Sequence, residues 1–358
     1  MRFPSDATAV AIATYPGAAC TSTTRIRAEH RCRCRTGGNV HALRAVRVGD
    51  LGTAAGGAAL HAALAADGMA LLVPDGDGST AAFKFRRCLE VMESFFLRSQ
   101  AEKRRSAATD GPGCVVGYMH NDSGGAEMFE AKCIHDPRWP WPDEAMRRAV
   151  VDARALLHDL ALACLRALAQ PLGLERTALE GLLDQPQQPL ATCSNTTMRV
   201  WRYLREGVGN EVHVDNSLLT VAPAGSAVGL WARRYRDGAQ LQPERQMAPG
   251  TVLVFAGDAL SFLCGGRVPA LVHWVSRPVQ DLARYSFPFF LRARQDAVLS
   301  CASPPSLQLC QRQLEASAGG GAGDRSLRTE WPWKRNDAYY VAPLGQPAGN
   351  GVREGSRE

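Results

Sequence analysis

From Leu43 onward, short apolar runs alternate with polar punctuation. Leu43, Val46 and Val48 predict a first strand, the Ala-rich stretch from Gly57 to Asp67 a helix, and Met69–Val73 a short buried strand. A second helix is predicted over about residues 80–102, because Phe83, Cys88, Leu89, Met92, Phe95 and Phe96 fall near a 3.6-residue period. The cluster Asp110-Gly-Pro-Gly113 ends that unit. A loop rich in Trp, Pro and Asp at 136–143 leads to a long helix near 143–170. Leu156, Leu160, Cys164 and Leu168 form its stripe, Pro142, Asp143 and Glu144 suit its first turn, and Pro171 and Gly173 stop it. Thr177 and Glu180 make a capping-box pattern for a short helix. After Pro189 the texture becomes strand and turn: 198–203, 218–221, 228–231, 252–255, 271–275 and 285–291. That spacing predicts a sandwich or jelly roll. From Cys301 the chain turns polar, and Gly319–Gly323 reads as a flexible linker. Residues 331–358 either cross back as a strand or stay loose.

Composition changes this picture in three places. The chain has 358 residues, enough to bury a core without staples, and no run of 18 apolar residues that would span a bilayer. The net charge is +6, but residues 1–40 contribute +4 of it through Arg2, Arg25, Arg27, Arg31, Arg33 and Arg35. The nearly balanced body gives little grip on nucleic acid. Residues 1–40, poor in acids and rich in Ala, Ser, Thr and Arg, read equally as an organelle transit peptide or an unstructured tail. The eleven cysteines are scattered and odd in number, so they are expected to be reduced, buried thiols of an intracellular protein. Cys32-x-Cys34 is half a zinc site at most, since no second pair with finger-like spacing follows.

Three segments of the β-rich half carry candidate chemistry. In a strand, positions i and i+2 share a face, so His213-Val-Asp215 presents an imidazole beside a carboxylate. His273 lies in another strand-like run. Two histidines and a carboxylate form the facial ligand set that holds Fe(II) and leaves positions open. H-x-D alone is a weak signal, and singly each histidine is more often a structural side chain than a ligand. Arg284-Tyr-Ser286 follows soon after His273, and its guanidinium fork and hydroxyl suit a small carboxylate.

In order, these motifs resemble the isopenicillin N synthase-like family of 2-oxoglutarate- and Fe(II)-dependent dioxygenases. His213-Val-Asp215-Asn-Ser-Leu-Leu-Thr220 is similar to the family's H-T-D-x-x-x-L-T, and Gly229-Leu-Trp231 to the G-L-Q that follows. Pro249 to Asp258 resembles P-G-x(6)-G-D, Gly265-Gly-Arg267 the N-G-R turn, and Val272-His-Trp-Val275 the v-H-R-V segment. Arg284-Tyr-Ser286 with Phe289-Phe-Leu291 resembles R-x-S and its F-F-L continuation, and Arg199 to Tyr203 the R-x-x-x-Y strand. Weaker landmarks upstream include Val46–Leu51, Asp67–Met69, Phe95-Phe96 with Glu102-Lys103, and Gly117-Tyr118. The resemblance covers about residues 43–295. It departs at Trp274, where Arg is usual, and at Trp201, where many plant members have Asn; no Y-P-P follows Tyr203.

The resemblance implies a mainly β fold with flanking helices around a double-stranded β-helix, a cupin-like jelly roll. Residues 1–40 would be the separate segment, 41–189 an N-terminal α/β region packing on the core, 190–296 the dioxygenase core and 297–358 an extension. It further implies that His213, Asp215 and His273 hold Fe(II), and that Arg284 and Ser286 bind the distal carboxylate of 2-oxoglutarate with help from Tyr203. With O₂, a small-molecule substrate would be hydroxylated, desaturated or demethylated, releasing succinate and CO₂. An oxidase or cyclase of the same scaffold that omits 2-oxoglutarate, and a non-catalytic jelly-roll binding protein, are the other readings. No nucleic acid, membrane or second subunit is expected as partner. The expected place is the cytoplasm, or a plastid or mitochondrion if residues 1–40 are a transit peptide. Tyr118, Phe129, Arg199, Trp231 and Phe289 are candidates for the mouth of the site, each equally explicable as packing.

Overall fold

The computed structural model describes residues 42–109, 115–121, 126–132, 139–184, 194–204, 210, 212–276, 283–294, 297–299 and 340–341. The expectations for residues 1–40, including Cys32 and Cys34, and for the Gly-rich linker lie outside them.

In chain order the helices are α1 (Ala54–Asp67), α2 (Ser79–Phe96), α3 (Gln100–Arg104), α4 (Glu144–Ala169) and α5 (Asp258–Leu263). The strands are β1 (Ala45–Arg47), β2 (Met69–Val73), β3 (Ala107–Thr109), β4 (Val115–Asn121), β5 (Ala126–Ala131), β6 (Thr197–Tyr203), β7 (Leu219–Pro223), β8 (Leu230–Arg233), β9 (Gln240–Leu241), β10 (Val252–Ala256), β11 (His273–Val275), β12 (Arg284–Ser286) and β13 (Phe289–Leu291). The large sheet runs β1-β2-β10-β7-β13-β6-β5-β4-β3, with β12 also on β6; a small sheet runs β11-β8-β9. This is the expected jelly-roll core. Strands from both halves of the chain share its large sheet: β2 pairs with β10, and β5 with β6.

Both faces of the large sheet are buried, and the period of two decides what each face carries. Val252, Val254, Met198, Val200 and Leu72 join the helix-side core. Leu253, Phe255, Tyr203, Met69 and Leu71 turn the other way and join Leu230 and Leu271 in a second core between the sheets. That second face carries the site.

On the helix side α4 is the brace, packed against α1, α2, β7 and β13. Asp143 caps it by accepting from the Met146 N–H at 2.8 Å. Its buried stripe is Leu157, Leu160, Cys164, Leu165 and Leu168, with Leu156 only half-buried. By length and composition this helix could cross a membrane, but here its stripe is occupied by the core. Gly57 lets α1 approach closely, since a Cβ there would lie 2.5 Å from the Ala167 carbonyl oxygen. Three cysteines lie among the described residues, Cys88, Cys164 and Cys264, all buried and outside any disulfide. Burial pushes the Cys88 thiol up to about 12 and raises Cys164 further, so neither is a thiolate near neutrality.

The predicted helix at 80–102 is two helices. Ser99 and Glu102 form a reciprocal capping box that starts α3, and the chain breaks after Phe96. Phe83, expected in its stripe, is exposed, and Phe85 and Val91 are buried instead. Thr177–Glu180 starts no α-helix; only a short 3-10 turn at Glu180–Leu182 follows, and Glu180 bonds Arg166. The run 285–291 is two strands broken by Phe287-Pro288. Tyr340–Val341 does cross back, pairing in parallel with Val298–Leu299.

A buried charge cluster joins β5 to α3. Glu127 accepts from Lys103, from the Tyr118 hydroxyl at 2.6 Å and from Arg202 at 2.6 Å. Burial pushes its carboxyl upward, but those three bonds outweigh it and hold it below the ordinary range. Glu127→Ala is expected to cost about 3–5 kcal/mol in chemical denaturation, because Lys103 and Arg202 lose their buried counter-charge. A depressed carboxyl contributes stability above its unfolded value and loses it as pH falls through the folded one. The difference between wild type and variant should therefore shrink below about pH 4.

Candidate functional site

The residues singled out in the sequence meet between the two sheets. His213 and His273 face each other in an isolated antiparallel bridge, each amide bonding the other's carbonyl at 3.0 Å. Asp215 Oδ1 lies 3.7 Å from Nε2 of both histidines. One donor atom from each of the three residues falls within 4.8 Å of the others. A first-row metal bonded at about 2.0–2.2 Å keeps neighbouring donors roughly 3 Å apart, and the two 3.7 Å Asp215–histidine separations lie within about 1 Å of that spacing.

The surroundings aim these donors. Thr220 Oγ1 donates to Asp215 Oδ2 at 2.6 Å and lies 2.8 Å from Ser217 Oγ, which leaves Oδ1 toward the histidines. The Asp258 N–H holds the Asp215 carbonyl at 2.8 Å, and Gly257 makes room, since a Cβ there would fall 2.2 Å from the Ser217 carbonyl oxygen. His273 Nδ1 lies 3.1 Å from the Leu271 carbonyl, which can only accept, so Nδ1 carries the proton and Nε2 is free to ligate. Burial lowers the His273 pKa more than Asp215 raises it, which favours the neutral ligating form. The donor set of two imidazoles and one carboxylate matches Fe(II).

Beside the triad, β12 presents Arg284 and Ser286 on one face, with Nη1 of Arg284 at 3.1 Å from Ser286 Oγ. Register places Arg284 opposite Tyr203 on β6, and the guanidinium sits 5.4 Å from the Tyr203 ring centroid. Burial raises the Tyr203 pKa, so its hydroxyl stays protonated; it accepts from Asn210 Nδ2 at 3.2 Å. Gly229 is required where the arginine stem passes, since a Cβ there would lie 2.6 Å from Arg284 Cδ and Nε. The three ligands, Arg284, Ser286 and Tyr203 all line one pocket.

The expected mouth residues fare differently. Tyr118 and Phe129 pack edge-on against Phe95 in the helix-side core, and Phe289 lies under α4. Arg199 bonds Glu130 at 3.1 Å, with its guanidinium 5.5 Å from the Phe290 ring. Trp231 stacks on Trp274, centroids 6.0 Å apart and planes at 4°. The pocket is lined instead by Trp201, Phe255, Pro288 and Phe290, and by the carboxylate of Glu244. Phe290 rather than Phe289 faces in because it continues the alternation of Arg284, Ser286 and Pro288, whereas Phe289 shares the helix-side face with Tyr285, Phe287 and Leu291. Glu244 had no local signal, since its partner lies 40 residues away in sequence.

No family model matches the chain. Its sequence is 27% identical to leucoanthocyanidin dioxygenase 1 of Oryza sativa subsp. indica over 64% of this chain and 62% of that protein; the match thus spans less than two thirds of the relative's length. Among solved structures, it is similar to a full-length Neurospora crassa protein in complex with alpha-KG and 5-formyluracil (TM-score 0.58, 17% identity, 73% of this chain and 87% of that one). It is also similar to a 2OG-Fe(II) oxygenase family protein from Caulobacter crescentus (0.59, 20%, 76% and 99%). A third is the dioxygenase for auxin oxidation of rice (0.59, 21%, 80% and 99%). The chain is thus similar in fold to solved 2-oxoglutarate/Fe(II) oxygenases and in sequence to a dioxygenase, consistent with the isopenicillin N synthase-like family that its motifs resemble.

Proposed function

We propose that this protein is an Fe(II)- and 2-oxoglutarate-dependent dioxygenase that oxidises a small molecule with release of succinate and CO₂. The observation that carries the reading is the convergence of His213, Asp215 and His273 in the same pocket as Arg284 and Ser286. When bound, Fe(II) supplies the redox chemistry that couples O₂ and the 2-oxo acid to oxidation of the substrate. The chain's own residues hold, orient and exclude water. His213, Asp215 and His273 would hold the metal. Thr220 and the Leu271 carbonyl fix two of those ligands in place. Arg284 and Ser286, with Tyr203 alongside, take the far carboxylate of the cosubstrate and so set its orientation toward the metal. Phe255, Trp201 and Phe290 form apolar walls that keep water away from the reacting groups.

The test is a metabolite screen for substrate-stimulated CO₂ release from carboxyl-labelled 2-oxoglutarate. Stimulation with matching succinate is the expected result. Oxidised product without succinate would assign Arg284 and Ser286 to a carboxylate of the substrate. Absence of both, in protein that binds iron, would overturn the reading.

A further inference from the structure

The arginine expected to bind the cosubstrate already has a buried anionic partner. Glu244 Oε1 lies 2.8 Å from Arg284 Nη2, and the two side chains are 4% and 2% exposed. Glu244 also accepts from three backbone amides: Gly225 at 2.9 Å, Gly229 at 2.7 Å and Leu230 at 2.9 Å. A carboxylate has about four lone-pair sites, and all of these are filled. Burial alone would push this carboxyl up, but Arg284 and the three amides hold it below the ordinary range. The group therefore stays ionised wherever the protein is folded near neutrality.

Arg284 retains binding capacity. Of its five N–H groups, Nε donates to the Ala227 carbonyl at 2.9 Å and one on Nη2 goes to Glu244. One on Nη1 goes to Ser286 Oγ at 3.1 Å, so the second hydrogen on each of Nη1 and Nη2 remains. Among the described residues lining the pocket, Arg284 is the one Lys or Arg, and Glu244 lines the same pocket. The far end of the pocket therefore offers hydrogen-bond donors and a hydroxyl at a net charge near zero. A dianionic 2-oxo acid meets Arg284 with Glu244 repelling it from the next seat. A 2-oxo acid ending in a carboxamide escapes that repulsion. Its carbonyl accepts from Arg284 and its amide donates to Ser286 Oγ.

We propose that Glu244 sets the charge selectivity of the 2-oxo acid pocket, so that neutral hydrogen-bonding end groups bind nearly as well as a carboxylate. The inference rests on the dioxygenase reading above. It also makes Glu244 a positioning residue that acts through Arg284.

The experiment is calorimetric titration of the full chain, loaded with Fe(II) without oxygen, using 2-oxoglutarate and 2-oxoglutaramate as probes. In the wild type the two dissociation constants should agree within about tenfold. In Glu244→Gln, which keeps the Oε1 acceptor and removes the charge, 2-oxoglutarate should tighten about tenfold or more, the scale of one charge pair in a partly screened site. The amide should move less than about threefold in the same variant, since it carries no end charge. Two results would overturn the proposal: a wild-type preference for 2-oxoglutarate beyond about 100-fold, as a bare cationic clamp gives, or equal shifts of both ligands in the variant, as a mere brace of the 225–230 turn gives. If the variant fails to fold, the wild-type comparison decides by itself. Iron binding with no affinity for either 2-oxo acid would sink the cosubstrate assignment itself, a result distinct from loss of selectivity.

Discussion

Asp215→Ala is expected to abolish turnover and to weaken Fe(II) binding by well over 100-fold, read by anaerobic metal titration. The scale follows from a comparison of shells. Removing a group that only orients a metal ligand costs about 10–100-fold in affinity, and removing a ligand must exceed that. Thr220→Val supplies the internal control: it leaves three ligands but frees Asp215 Oδ2 from its 2.6 Å bond, so its loss should fall within that smaller range. His213→Ala should behave like Asp215→Ala in iron binding while perturbing the fold less, because His213 is 37% exposed and Asp215 is 7%. Equal, small effects from all three variants would show that these side chains do not share an ion.

Arg284→Ala carries the second large effect, and it should appear in two separate measurements. The cosubstrate loses its charged anchor, which raises the requirement for 2-oxoglutarate by roughly 30-fold or more, the equivalent of about 2–5 kcal/mol for a truncated buried charge contact. Independently, Glu244 loses its counter-ion at 4% exposure, so stability should fall by about 3–5 kcal/mol in chemical denaturation. Arg284→Ala combined with Glu244→Gln should recover part of the stability and none of the affinity for 2-oxoglutarate. An unchanged cosubstrate requirement in the single variant would remove Arg284 from the pocket's chemistry.

The candidate site was legible because its residues come in close pairs. Strand alternation puts Arg284 and Ser286 on one face of β12, whereas His213 is an isolated bridge residue and Asp215 lies outside any strand, held by Thr220. The ordered motifs around them carried the fold, and the apolar runs at 69–73, 218–221 and 252–255 marked the buried strands β2, β7 and β10. What stayed hidden was of three kinds. β4 and β5 were missed because Val115–Asn121 and Ala126–Ala131 are hairpin strands with polar residues on both faces, bounded by glycines that read as loop. The break after Phe96 was written in the sequence as Ser99-x-x-Glu102, but the good helix formers Gln100-Ala-Glu-Lys103 read as a continuation of the same helix and mask the cap. Glu244 belongs to the third kind. It lies in a polar turn beside Pro243 and Arg245, and its meaning comes wholly from an arginine brought in by another strand.

The departure at Trp274 has a consequence for how the candidate ligand His273 on its strand is kept in place. β11 is three residues long, and such a strand has little ladder to stop it sliding along β8. A slide of a single residue would swap inside for outside, sending His273 out and an indole inward. Trp274 is paired directly opposite Trp231, and the two rings lie flat on each other on the outer side of the small sheet. Neither ring could follow a slide without colliding with the second core. The indole pair thus serves as a detent: it holds the ladder at the one setting in which His273 points toward His213 and Asp215.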